Sequence, residues 1–296
     1  MDARQLEYFL AVVDHGGMSR AAHALYIAQP SLSQAVRVLE RDLGTRLFDR
    51  VGRRLVLTQA GHALVEPARQ IVRGLDAARA AVDSVGGLEA GRVEIAAMPS
   101  QAVEPLSGMI RRFTARHPGL TVAVRSAFTP DDVLGMVRGG VTELGLAAGP
   151  EPLEAAGLTV IPCGRQRFVL VTGPDAPFPD GEPVRRELLD GRRLIVGQPG
   201  TGMRRLVDDI RASGVGVVPV VETEHREAIL PLVLGGVGMA VLADSWTSLA
   251  ERAGARVFAL DPPAHLHVAL VGRAALTPTA AAFVAAIDRP GLSDGP

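Results

Sequence analysis

The feature that most constrains this chain is a change in hydrophobic period near residue 90. Up to Val85, apart from the stretch 47–57, the apolar residues recur three and four positions apart, the spacing of one helix face. From Arg92 onward, short apolar runs of strand length alternate with stretches of helical spacing. That alternation points to strand–helix–strand units and a parallel sheet. Two kinds of structure are therefore joined end to end, with Gly86-Gly87 and Gly91 as a flexible joint. A chain of 296 residues has room for two or three domains, and its 47% hydrophobic content supports a large core.

In the first part, Leu6, Phe9, Leu10 and Val13 form one apolar helix face, stopped by Gly16 and Gly17. Ser19 is positioned to cap a second, short helix that turns Ala21, Ala22 and Leu25 inward. Tyr26 to Gln29 form a turn, and Pro30 suits the first position of a third helix. On that helix Leu32, Val36 and Leu39 face the core, so Ser31, Ser33, Gln34 and Arg37 face away. Short polar and guanidinium groups on an exposed helix suit bases and phosphates of a major groove. Gly44 ends the helix. Leu47 to Leu57, apolar at both ends around a charged, Gly-containing centre, reads as a β-hairpin whose tip presents Arg50, Arg53 and Arg54. Three helices and a basic hairpin in this order make a winged helix-turn-helix. Periodicity alone leaves open a three-helix mini-domain with a solvated hairpin.

Thr58 is placed to cap a long helix to about Val85. Leu64, Ala68, Ile71, Leu75, Ala78, Val82 and Val85 alternate steps of four and three, a heptad seam. Such a seam pairs with a second copy of the chain or packs on the chain's own domains. Dimerisation is the preferred reading, because a two-fold dimer matches a palindromic operator. Pro67 lies inside this helix and predicts a kink.

Beyond the joint, strands are expected at Val93–Ala97, Leu120–Ser126 and Leu144–Ala147, with helices at Gln101–Arg116 and Asp131–Arg138. After extended segments at Leu158–Pro162 and Arg167–Val171 the pattern repeats. Strands at Leu194–Val196, Val217–Val221 and Met239–Leu242 alternate with helices at Thr201–Ala212 and His225–Leu234. His267–Val271 and Thr279–Ile287 close the chain as strand and helix. Two similar βαβαβ halves imply two subdomains with a cleft between them, and ligands in such sheets bind at the carboxyl ends of strands. Two turns hold equivalent places: Met98-Pro99-Ser100-Gln101, and Gln198-Pro199-Gly200-Thr201-Gly202. Plain helix capping by Ser100 and Thr201 is the alternative to ligand binding by either residue alone.

Charge narrows the function further. The net charge is −1, yet Arg20, Arg37, Arg41, Arg46, Arg50, Arg53 and Arg54 crowd the N-terminal module against Glu40, Asp42 and Asp49. A local basic excess in a near-neutral protein fits a nucleic-acid-binding module; a solvated surface explains it equally well. The lone cysteine, Cys163, precludes an intramolecular disulfide and fits a reducing cytoplasm. The first residues hold Asp2 and Arg4 and no h-region, so no secretory signal is expected, and no apolar run is long enough to span a bilayer. An enzyme on the α/β half lacks support from any GxGxxG, Walker A or Gly-x-Ser-x-Gly pattern. His265 and His267 alternate on one strand face without a third ligand nearby, so no metal is expected. A transport-type solute-binding protein shares the two-lobed cleft but not the basic module.

The chain resembles the LysR-type transcriptional regulators. The resemblance is carried by Leu6-Glu7-Tyr8-Phe9, Ser19-Arg20-Ala21-Ala22-His23-Ala24-Leu25, Gln29-Pro30-Ser31-Leu32-Ser33, Leu39-Glu40 and Leu43-Gly44. It continues through Leu47-Phe48-Asp49-Arg50, Arg53, Leu57-Thr58-Gln59-Ala60-Gly61, Gly140, and Gly235-Gly236-Val237-Gly238-Met239-Ala240. It implies an α/β chain: a winged helix-turn-helix at 1–58, a linker and dimerisation helix with hinge at 59–90, and an effector-binding domain at 91–296. That domain would be of periplasmic-binding-protein type, with one subdomain at about 91–162 and 266–296 and the other at about 163–265. The implied partners are double-stranded promoter DNA, a small-molecule inducer in the cleft, and further copies in a homo-oligomer, commonly a tetramer built from two dimers. No catalytic residue, metal or cofactor is implied. By position, Ser19, Arg20, Gln29, Pro30, Ser31, Ser33, Gln34, Arg37, Arg50, Arg53 and Arg54 would meet DNA. Ser100, Gln101, Phe128, Thr129, Gln198, Thr201, Gly202 and Met203 would meet the inducer. Ala28, where the family often has Thr or Ser, leaves the third helix without a side-chain cap. Gln34 stands where Arg is frequent, and Ala243 where Pro is common.

Overall fold

The computed structural model describes residues 1–52, 54–83 and 91–287, and divides the chain into two compact units near residue 88. In the N-terminal unit, α1 (Ala3–His15) starts on a capping box. Asp2 accepts the Gln5 amide at 2.9 Å, and Gln5 Oε1 accepts the Asp2 amide at 2.8 Å. Gly16 closes the helix at φ 64°. Helix α2 (Met18–Ala24) begins directly after Gly17, so Ser19 lies inside it and caps nothing. Helix α3 (Gln29–Leu43) carries Pro30 in its first turn, has no side-chain cap at Ala28, and ends on Gly44.

Leu6, Phe9, Leu10, Val12, Leu32, Val36 and Leu39 fill the core of this unit. Val12 rather than Val13 is the fully buried valine of α1, and Val13 packs at the margin. Strands β1 (Phe48–Val51) and β2 (Arg54–Leu57) form the expected antiparallel hairpin, registered from Phe48 opposite Leu57 to Val51 opposite Arg54. Two contacts fasten it. The Phe48 and Phe9 rings lie 5.4 Å apart, and Glu40 Oε1 accepts the Leu47 amide at 2.8 Å.

Helix α4 (Gln59–Asp83) is capped by Thr58, whose hydroxyl accepts the Gly61 amide at 2.9 Å and donates to the Arg46 carbonyl at 2.7 Å. A side chain at Gly61 would put Cβ only 2.2 Å from the Leu47 carbonyl oxygen, so the close approach of helix and hairpin requires glycine. Pro67 sits within the continuous span of α4. The heptad seam divides. Ala68 is fully buried and Leu64 packs beside it on the helix-turn-helix core, while Ile71 and Leu75 remain 44% and 39% exposed. The Arg69–Asp14 ion pair ties the same stretch to α1. Self-packing therefore accounts for the first part of the seam and leaves Ile71 and Leu75 uncovered. Val82 as a side chain, Val85 and the Gly86-Gly87 joint lie outside the described residues.

The C-terminal unit is built on two matched strand groups. Strands β3 (Gly91–Ala97), β4 (Leu120–Ser126) and β5 (Leu144–Gly149) are parallel, with β3 central. The single expected helix after β3 is instead α5 (Pro99–Gln101), a wide turn over Ala102–Leu106, and α6 (Ser107–Arg116). Pro105 forces the break, since Glu104 before it is extended at φ −151°, ψ 140°. Helix α7 (Pro130–Arg138) links β4 to β5.

The two extended segments expected next are one strand, β6 (Thr159–Thr172). A short β7 (Val184–Arg185) follows, which sequence periodicity does not reveal. The second group repeats the first: β8 (Arg193–Gly197), α8 (Gly202–Ala212), β9 (Val218–Thr223), α9 (Arg226–Leu234) and β10 (Met239–Ala243), with β8 central and all three strands parallel. Helix α10 (Thr247–Arg252) and strand β11 (Arg256–Asp261) add to the repeating pattern. Strand β12 (His265–Gly272) and helix α11 (Pro278–Ala285) complete the described fold. The strand order is β4-β3-β5-β12-β6-β10-β8-β9. The first part of β6 pairs with β12 and the second with β10 and β11, so one strand belongs to both groups. Val268 pairs with Gly164 and Ala269 with Pro162, which leaves Cys163 as the extra residue of a bulge.

Candidate functional site: a cleft at the paired strand ends and an exposed helix face

The carboxyl ends of both central strands meet at one cavity of about 20 Å³, room for a single water. The turn after β3 contributes Met98, Pro99, Ser100 and Gln101. Across from it stand Gly202 and Met203, which open α8. Phe128 after β4, Phe168 of β6, Ala243 at the end of β10 and Leu266 of β12 give apolar walls, and Arg226 enters from the first turn of α9. Five of the expected inducer contacts are thus brought together: Ser100, Gln101, Phe128, Gly202 and Met203.

Of the other three, Thr201 and Thr129 serve local structure. Thr201 caps α8 by accepting the Arg204 amide at 3.3 Å, and its hydroxyl donates to the Gln198 carbonyl at 2.8 Å. Thr129 exchanges a reciprocal cap with Asp132 at the start of α7: its amide donates to Asp132 Oδ2 at 3.0 Å, and its hydroxyl accepts the Asp132 amide at 3.1 Å. Gln198 keeps its side-chain oxygen buried without a hydrogen-bond partner. Gln101 is locked as well, donating at 2.8 Å to Gln166, which donates at 2.8 Å to the Glu104 carbonyl. Ser100 caps no helix. Its Oγ accepts the Trp246 indole N–H at 3.4 Å, leaving its own hydrogen for an acceptor.

In the N-terminal unit, Gln29, Pro30, Ser31, Gln34 and Arg37 are exposed on α3, with Ser33 half-buried among them. Gln29 donates to Ser33 Oγ at 3.2 Å and Arg37 to the Ser33 carbonyl at 3.2 Å, a row at helical spacing along one face. Arg50 is exposed on the hairpin. Arg53 and the side chain of Arg54 lie outside the described residues. Ser19 is exposed. Arg20 donates to the His15 and Gly16 carbonyls, both at 2.6 Å, and so closes the end of α1.

Two family models cover this chain: a bacterial regulatory helix-turn-helix of the lysR family over residues 3–62, and a LysR substrate binding domain over residues 86–289. The chain belongs to the LysR family of bacterial transcription regulators. Among its relatives, this LysR-type chain is 31% identical over 266 residues to the HTH-type transcriptional regulator CbbR of Rhodospirillum rubrum, covering 87% of this chain and 84% of that one. A full-length OxyR variant from Pseudomonas aeruginosa shares its fold with a TM-score of 0.73 at 21% identity, covering 97% and 93% of the two chains. Full-length CbnR complexed with its target DNA matches with a TM-score of 0.67 at 21% identity, covering 97% and 99%. The protein is a DNA-binding transcription regulator with an effector-binding domain, not an enzyme. Among the described residues no helix is long and apolar enough to cross a membrane.

Sequence reasoning missed Arg226. It occupies the first turn of α9, where a cation opposes the helix dipole. That mismatch is the signal that points to it. Burial pulls its guanidinium below the ordinary arginine range, though it stays charged at neutral pH. Cys163 in the bulge is half-buried, and that burial pushes its thiol up, away from the reactive thiolate.

Proposed function

We propose that the exposed face of α3 reads promoter DNA and that a small-molecule inducer acts in the cleft at the paired strand ends. Ser31, Ser33, Gln34 and Arg37 face the major groove, with Gln29 and Pro30 at the leading end, and Arg50 and its hairpin neighbours meet the backbone. Ser100, Phe128, Gly202 and Met203 contact the inducer directly, while Thr201, Thr129, Gln198 and Gln101 hold the walls. The uncovered Ile71 and Leu75 on α4 pair with those of a second copy, giving a homodimer suited to a two-fold operator. The domains run as the sequence divides them, 1–58, 59–90 and 91–296. The protein works in the cytoplasm without a resident cofactor or metal. Inducer closes the cleft, and the closure changes how the copies pack and how their α3 helices are spaced on DNA.

The observation that supports this reading is the convergence of two matched turns, about 100 residues apart, on one cavity. Footprinting on the DNA upstream of the protein's own gene, with and without candidate metabolites, tests it. A footprint unmoved by every compound that binds the cleft fails the mechanism. For the reading face, R37A and R50A each weaken binding and lower the salt slope by about 1 in gel-shift titrations. R20A loses stability rather than salt slope, because Arg20 closes α1. Unaltered affinity in both R37A and R50A counts against the assigned surface.

A further inference from the structure

Two half-buried arginines of the second strand group hold carboxylates. Arg204 pairs with Asp208 at 3.0 Å and with Glu222 at 2.6 Å, and Arg256 pairs with Asp180 at 2.7 Å. Arg226 pairs with no carboxylate among the described residues. Among the described residues its hydrogen-bond acceptor is the Met203 sulfur, 2.9 Å from a guanidinium nitrogen. A thioether is a weak acceptor, a poor partner for a largely buried cation. The acids closest to it in sequence are committed or exposed: Glu227 bonds His225 at 3.1 Å, both side chains exposed, Glu222 holds Arg204, and Glu224 is exposed.

The cavity itself completes the case. Arg226 is the one charged side chain among its described lining residues. Beside it, the first amides of α8, at Gly202 and Met203, are those a helix leaves unpaired. Ser100 adds a hydroxyl donor across the cleft. The remaining walls, chiefly Phe128, Phe168 and Leu266, are apolar. One cation, a few neutral donors and apolar walls match a single negative charge on an apolar body. A doubly charged phosphate would meet too little positive charge here.

We infer that the cleft takes a small organic acid whose carboxylate pairs with Arg226 in place of the Met203 sulfur. This rests on the reading of the cleft as the inducer site and names the class of inducer. The cavity is too small for such a molecule as it stands, so entry displaces Met203, an unbranched side chain that repacks readily. Planar carboxylate and guanidinium then meet edge to edge through two parallel hydrogen bonds.

Binding by the full-length protein tests this, measured by calorimetry with acetate, butyrate and benzoate, each beside its amide, and with inorganic phosphate. At least one acid binds the wild type, and its amide does not. R226Q loses about 50-fold in affinity for that acid, and R226K, which keeps the charge but not the planar fork, loses about tenfold. R226K also guards against a folding defect in R226Q. An amide that binds as tightly as its acid, an R226Q protein that retains the acid, phosphate preferred over every acid, or no acid bound at all would each overturn the inference. G202V separates this from the parent reading, because its added side chain meets Leu266 and Phe168. An amide bound by the wild type and lost in G202V leaves the cleft as the inducer site and sinks only the acid. Acid binding that survives G202V fails the cleft itself.

Discussion

The two strand groups of the C-terminal unit share an order and differ in chemistry at the same places. The central strand of the first ends at Ala97 and that of the second at Gly197. Each is followed by a residue, a proline and then a turn into helix. After β4, the start of α7 is satisfied from within, since Thr129 and Asp132 cap each other and Asp131 adds a second acid in the first turn. After β9, α9 starts without a side-chain cap and carries Arg226 into the cavity. The first group thus contributes Phe128 and the Ser100 hydroxyl, and the second contributes the cation beside the first amides of α8. Repetition supplies the cleft, and departure from repetition supplies its selectivity.

The strongest way to break this comparison is at the strand ends. A Cβ at Gly197 would lie 2.8 Å from Thr201 Oγ1, 3.4 Å from an Arg226 nitrogen and 3.5 Å from the Met203 sulfur. Thr201 is buried and tied into its cap, so it has little room to give. G197V is expected to cost about 2 kcal/mol by overpacking. At the equivalent place the first group already carries a methyl, and A97G is expected to cost only about 0.5–1 kcal/mol. Urea unfolding of both variants checks the pair, and equal losses would mean that the two turns are packed alike.

The repeat was legible in the sequence because strand-length runs and helical spacing are local. Leu120–Ser126 needs no correction as a strand. What escaped is non-local or depends on one residue. The helix expected from Gln101 breaks at Glu104 because Pro105 restricts the residue before it. Strand β7 is two residues long, too short for any period, and β11 is held by pairing with β6 and β7. Arg226 reads as an ordinary surface charge, since the turn that shares its cavity lies more than about 120 residues earlier in the chain. Arg20 reads as a DNA contact by charge and position, whereas its hydrogen bonds run to the α1 carbonyls four and five residues back. The polar face of α3 was legible because Leu32, Val36 and Leu39 fix which side is buried.

Cys163 sharpens the comparison from the seam. It sits in the bulge of β6 just before the strand passes from one group to the other. Burial raises the thiol's folded pKa, so at a given pH less thiolate is present than in a free cysteine. Reaction with a disulfide reagent at about pH 7.5 is therefore expected to be slower than for an unfolded control, rising only at more alkaline pH. A rate equal to the unfolded control would show that the two groups part readily at the bulge. That rate should fall further when a cleft ligand joins them.

The smallest expected effect tests whether the two hydroxyls of the cleft play different parts. Thr201 caps an 11-residue helix and is 2% exposed, so T201A should cost about 1 kcal/mol of stability. Ser100 caps nothing and accepts one long bond from Trp246, so S100A should cost about 0.5 kcal/mol or less. The order reverses for ligand. Ser100 has a free hydrogen on the cavity wall, whereas the Thr201 hydroxyl already donates to the Gln198 carbonyl. S100A should weaken a bound acid by about fivefold through a lost neutral hydrogen bond, and T201A should leave its affinity nearly unchanged. Thermal unfolding and calorimetry on the two variants read both orders. If T201A loses more ligand affinity than S100A, the turns share one role and the asymmetry between the groups rests on Arg226 alone.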